Sequence, residues 1–115
     1  MTRIMTAALL AAALSGPAFA HTHLKAAVPA DGSTVKAAPA TFALTFSEPA
    51  RLTALTMQKD GGAEQKITGL PAAAGTEATI AAPKLGNGRY TLNYRVVSAD
   101  GHVMSGKISF TVDDR

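Results

Sequence analysis

The sequence predicts an all-β fold, a two-sheet antiparallel sandwich of six or seven short strands, on three observations. Apolar and polar residues alternate in several short runs, turn signals recur about every ten residues, and no amphipathic helix is legible beyond the first twenty residues. A small closed barrel is the alternative that the same pattern allows.

The first twenty residues stand apart from this pattern. They have a basic start at Arg3, an apolar run from Ala7 to Leu14, a Gly16-Pro17 break and an Ala18-Phe19-Ala20 end. This is the layout of a secretory signal, and its apolar run is well short of the roughly 20 residues a membrane-spanning helix needs. The expected organisation is therefore a signal over 1–20, cleaved after Ala20, and one domain over 21–115 that does not span the membrane. Cleavage after Ala18 is the competing site. Taking 20 residues from 115 leaves 95, enough for one economical core. Losing Arg3 from the 11 Lys plus Arg leaves 10 against 8 Asp plus Glu, a net charge of +2. That balance is too small for a nucleic-acid partner, and the cations look scattered from Lys25 through Lys36, Lys59 and Lys84 to Lys107.

Each strand has its own signal. Leu24, Ala26 and Val28 alternate before the Pro29-Ala30-Asp31-Gly32 turn. Phe42, Leu44 and Phe46 alternate with Ala43 and Thr45, and Ser47-Glu48-Pro49 is expected to close that strand. Thr53, Leu55 and Met57 repeat the period up to Lys59-Asp60-Gly61-Gly62, where Asp-Gly and Gly-Gly pairs tolerate the positive φ of a hairpin. Glu64 to Thr68 returns, an Ala-rich loop with Pro71 follows, and Glu77 to Ala81 supplies a short strand through Ala78 and Ile80. Tyr90, Leu92, Tyr94 and Val96 form the longest alternation, so that strand is expected to be central. Its approach, Leu85-Gly86-Asn87-Gly88-Arg89-Tyr90, resembles the tyrosine corner of immunoglobulin-like sandwiches. Ile108, Phe110 and Val112 mark the last strand.

The chemistry concentrates in the three histidines. Cleavage after Ala20 would make His21 the N-terminus, giving one residue both a free α-amine and an imidazole Nδ1, which together close a six-membered chelate ring on a metal. With pKa values of about 7.7 to 8.0 and about 6.5, both nitrogens release their protons to a metal near neutral pH. The chain has no cysteine, so a metal site would rely on nitrogen and oxygen ligands, which favours copper(II). His102 lies in the turn Val97-Ser98-Ala99-Asp100-Gly101-His102, where Gly101 lets the Asp100 carboxylate and the His102 imidazole face one side. Added to His21, they complete a set of three nitrogens and one oxygen for a single tetragonal copper(II) ion. An Asp-Gly-His turn alone is more often just a turn, and a terminal histidine is usually solvated. The conjunction is what points to metal. His23 is a secondary candidate, because an amine, two deprotonated amides and a third-position imidazole also make a local square-planar copper(II) or nickel(II) site.

Along the length expected after cleavage the chain resembles the CopC family of periplasmic copper-resistance proteins. The resemblance rests on His21-Thr22-His23-Leu24, Pro29-Ala30-Asp31-Gly32, Leu44-Thr45-Phe46-Ser47-Glu48-Pro49, Gly88-Arg89-Tyr90, Val96 through His102, and Gly106 with Phe110 and Val112. It implies a Greek-key, immunoglobulin-like or cupredoxin-like sandwich of about seven strands. It also implies one copper(II) ion held by the amine and imidazole of His21, the carboxylate of Asp100 and the imidazole of His102. Some members carry a Met-rich copper(I) site, but residues 21–115 contain only Met57, in phase with the core, and Met104, so a copper(II)-only member is expected. Tyr94 stands where relatives have a tryptophan.

The expected function is periplasmic copper sequestration, delivery or resistance without catalysis, with a CopD-type inner-membrane copper protein as the implied partner. Two alternatives remain at the level of sequence. A small copper monooxygenase would also chelate through an N-terminal histidine, although few aromatics are available for a substrate face. A structural sandwich module would bind no tight copper.

Overall fold

The alternation through Phe42, Leu44 and Phe46 does form a strand, but the strand does not stop at Ser47-Glu48-Pro49. The computed structural model describes residues 22–115, which form β1 (Leu24–Val28), β2 (Ser33–Val35), β3 (Thr41–Lys59), β4 (Glu64–Lys66), β5 (Gly75–Ala81), β6 (Gly88–Ser98) and β7 (Val103–Val112). The two strands expected over 42–46 and 53–57 are thus halves of one 19-residue strand. Its first half pairs with β1 and β5, and its second half pairs with β4 and β6. Ser47, Glu48 and Pro49 are the corner between the two layers. Pro49 is tolerated there because the register of the β5 pairing breaks between Thr45 and Ala50, leaving no ladder position that needs its missing N–H.

A second irregularity keeps the core face in phase. The register with β6 shifts between Leu52 and Ala54, where the hydroxyl of Thr53 donates to the carbonyl of Arg95 at 3.2 Å. The extra residue lets Leu52 and Leu55 both point inward although they are three positions apart, and both are buried. Tyr90, Leu92 and Val96 of β6 and Ile108, Phe110 and Val112 of β7 complete this inner face, which packs on Phe42, Leu44, Phe46, Ala78 and Ile80 of the other layer. Phe110 bridges them, stacked on Tyr90 at 5.4 Å and tilted to Phe42 at 6.0 Å between ring centroids. Fully burying each such side chain is worth about 1.5 to 3 kcal/mol.

Strand β2 carries no clear alternation and was not expected. It is three residues long and runs parallel to β7, the one parallel pairing among the described residues of an otherwise antiparallel sandwich. The hydroxyl of Tyr90 donates to the carbonyl of Gly86 at 2.8 Å, as the expected tyrosine corner requires. At the Asp60-Gly61 hairpin both residues have positive φ, 52° and 75°, which is the type I′ geometry that follows the twist of the flanking strands. Tyr94 is half-buried against Phe46 and lies across Gly106, its partner on β7; a Cβ at position 106 would stand 2.6 Å from the Tyr94 Cζ.

Candidate metal centre

The loop from β6 to β7 is closed by backbone bonds at both levels. The amide of Gly101 donates to the carbonyl of Ser98 at 2.9 Å, and the amide of Ser98 donates to the carbonyl of His102 at 2.9 Å. Gly101 sits at φ 90°, a region that side chains with a Cβ rarely enter. This turn brings Asp100 and His102 together. The His102 Nδ1 lies 2.8 Å from one carboxylate oxygen of Asp100, while the other oxygen accepts from the His102 amide at 3.2 Å and from the hydroxyl of Ser98. Donors on both oxygens stabilise the ionised form, and they hold the Asp100 carboxyl at about 2, below its usual 3.8. The Ser98 hydroxyl contributes most, then the amide and ring of His102. The result is an exposed carboxylate with a fixed orientation beside an imidazole oriented through Nδ1, an arrangement that presets a metal ligand.

The N-terminal segment is tied to the same end of the sandwich. The amide of His23 donates to the hydroxyl of Ser47 at 2.9 Å, and the amide of Ser47 donates to the carbonyl of His23 at 2.8 Å. The second of these bonds extends the β1–β3 ladder to the layer corner, and the first anchors it through the Ser47 side chain. Thr22 is then 2% exposed and lines a depression of about 160 Å³ with Glu48, Pro49, Ser98, Ala99 and Asp100. His21, the first of the expected ligands, lies outside the described residues, as do the signal segment and its cleavage site. Its neighbour Thr22 is set against the Asp100 turn. Among the described residues no group of three or more His, Cys, Asp or Glu side chains is placed to hold a metal, so Asp100 and His102 would need a donor from outside that set.

The described part of the expected ligand set is therefore brought together, and two neighbours join it that the sequence reading passed over. Ser98 was part of the turn string but carried no role, because nothing in its spacing says that its hydroxyl caps the carboxylate two residues on. Ser47-Glu48-Pro49 marks the end of a strand in the sequence; the corner in β3 instead carries Glu48 to the depression that Asp100 lines. His23 is committed through its backbone to Ser47, which bears on the local alternative, since that site must deprotonate the same His23 amide. Met57 is buried in the core and Met104 is half-buried against it, and neither builds a methionine cluster.

Residues 24–113 match the family model described as the CopC domain. The chain belongs to the CopC family. A curated CopC relative, Copper resistance protein C of Xanthomonas campestris pv. juglandis, is 42% identical over 96% of this chain and 92% of its own. Among solved structures, CopC from Methylosinus trichosporium OB3b superposes with a TM-score of 0.68 at 31% identity, covering 81% of this chain and 94% of that one. PcoC from Escherichia coli, described as a methionine-rich copper resistance protein, superposes at 0.63 with 34% identity, covering 82% of this chain and all of that one. CopC proteins are copper-resistance proteins, not enzymes, and membership implies copper binding.

Proposed function

We propose that this CopC protein is a periplasmic copper(II) carrier whose single ion is held by the α-amine and imidazole of His21, the carboxylate of Asp100 and the imidazole of His102. The observation that carries this reading is the Asp100–His102 pair, held 2.8 Å apart, whose Asp100 lines the depression in which Thr22 is buried. A site of three nitrogens and one oxygen without thiolate suits copper(II), the strongest of the first-row divalent ions for such donors. Glu48 lines the same depression but forms no metal-holding group with Asp100 and His102. The reading requires cleavage after Ala20, and with it export, since only processing creates the amine. Copper is cargo here, taken up for sequestration or passed to a partner such as a CopD-type membrane protein.

The test compares two histidines. His102→Ala removes one of three nitrogens and is expected to lower copper(II) affinity more than the roughly 10- to 100-fold that loss of a supporting residue costs. It should also change the copper EPR spectrum, whereas His23→Ala should do less. Abolished binding in His23→Ala with an unchanged spectrum in His102→Ala would assign the ion to the local amide site. A correctly processed variant with one alanine inserted before His21 tests the amine directly, because the insertion separates it from its imidazole. Unchanged affinity there would remove the N-terminal chelate.

A further inference from the structure

The outer face of the large layer gathers cations that are far apart in sequence. Directly paired residues in a sheet share a face, so the register can be read as rows running away from the Asp100 turn. Arg51, Val97 and Val103 form the first row, and Ala54, Arg95 and Ser105 the second. Lys66, Thr56, Asn93 and Lys107 form the third, and Glu64, Gln58, Thr91 and Ser109 the fourth. Four cations thus meet two carboxylates, Glu64 within the rows and Asp31 at their edge, where it accepts from the Ser109 amide at 2.8 Å. Arg51, Lys66, Arg95 and Lys107 are all exposed, and the ion pairs among the described residues, His102–Asp100 and Arg115–Asp113, involve none of them. A row spans two residues, about 7 Å, so the first three rows lie within roughly 14 Å along the strands.

The face is also shaped. A depression of about 510 Å³ lies over its middle, lined by Thr56, Asn93, Ser105, Arg95 and Lys107, with Glu64 at the β4 rim. It therefore combines two cations with the hydroxyls of Thr56 and Ser105 and the amide of Asn93, which donates to Gln58 at 3.2 Å. Between the depression and the turn stands Val103, 60% exposed and one residue from His102, with Val97 beside it. A cationic cleft with directional polar groups and a small apolar step fits a protein surface better than a lipid headgroup layer, which needs charge but no such groove.

The geometry points to this face, Arg51, Lys66, Arg95 and Lys107 with Val103, as the docking surface for a protein partner that presents carboxylates. Its purpose rests on the copper-carrier reading, since docking here would set the partner beside Asp100 and His102; its geometry does not. Complementary charge of this kind speeds encounter and fixes orientation, and it weakens as salt rises.

The experiment uses the protein labelled with ¹⁵N and, as probe, an oligoglutamate peptide. Amide shifts should concentrate in residues 51–58, 93–97 and 103–107 and fade with added salt. The combined variant Arg51→Glu, Arg95→Glu, Lys107→Glu should bind the peptide at least roughly tenfold more weakly. A control with the same change in net charge, Lys36→Glu, Lys84→Glu, Arg115→Glu, should bind within about twofold of the unchanged protein. Shifts spread evenly over Lys36, Lys84 and Arg115, or equal losses in the two triple variants, would overturn the proposal. So would phosphatidylglycerol vesicles occupying the face while the peptide does not. Copper(II) EPR on the same samples keeps the readings apart: a protein that takes no copper but shows the localised shifts refutes the carrier alone, and normal copper binding with scattered shifts refutes the docking face alone.

Discussion

Asp100 is the residue through which the site's pH dependence can be worked out. Its folded-state pKa is depressed from 3.8 to about 2, chiefly by the Ser98 hydroxyl and then by the His102 amide and ring. A depressed carboxylate contributes stability that is fully present above its unfolded pKa near 4 and is lost as pH falls toward 2. Copper release on mild acidification should therefore run on the nitrogen ligands, over roughly pH 6 to 4, with Asp100 still ionised throughout. Ser98→Ala should raise the Asp100 midpoint toward the ordinary carboxylate value, read from the carboxyl ¹³C shift of the metal-free protein. The same change should weaken copper(II) about tenfold by loosening the ligand's orientation. An unmoved midpoint would show that the His102 contacts alone hold the charge.

Among the elements, β3 and the β6–β7 hairpin do most to place the site. The corner at Ser47–Pro49 serves both layers, takes the two His23 backbone bonds through Ser47 and carries Glu48 to the Asp100 depression. The hairpin supplies Asp100 and His102 and is braced on its inner face by Tyr94 lying across Gly106. Gly106→Ala is expected to destabilise the fold by about 1 to 3 kcal/mol, because the added methyl overlaps the ring. Pairing it with Tyr94→Ala should recover part of that loss, whereas simple loss of backbone freedom at 106 predicts no recovery. Denaturant unfolding of the two single variants and the double variant separates these outcomes.

Across the whole molecule, the proposed ion would join two places distant in sequence, the N-terminus that cleavage after Ala20 would create at His21 and the turn at residues 98–102. It can form only when the sandwich is closed, so copper should raise the melting temperature by mass action. The rise should be larger at neutral pH than near pH 5, where protons compete for the nitrogens. Equal rises at both pH values would mean that protons do not compete for the ligands, and no rise at either would place the ion on a local segment that binds it in the unfolded chain as well. The sheet face bearing Arg51, Arg95 and Lys107 belongs to the same scale, since no window of sequence contains it.

What residue order determined by itself was the local chemistry: strand periodicity, the positive-φ hairpin turn within Lys59-Asp60-Gly61-Gly62, the tyrosine corner at Tyr90 and the Asp-Gly-His turn. These follow from backbone preferences and hydrogen bonds within a few residues, so a one-dimensional pattern is enough to reveal them. Tertiary structure decided the rest. Whether residues 42–46 and 53–57 were two strands or one depended on partners in two layers, and β2 exists because β7 offers an edge to it. The burial of Thr22 beside Asp100, the approach of Glu48 and the clustering of cations that look scattered in sequence all depend on register between strands. Register is set by packing the apolar face as a whole, and a single stretch of sequence does not contain it.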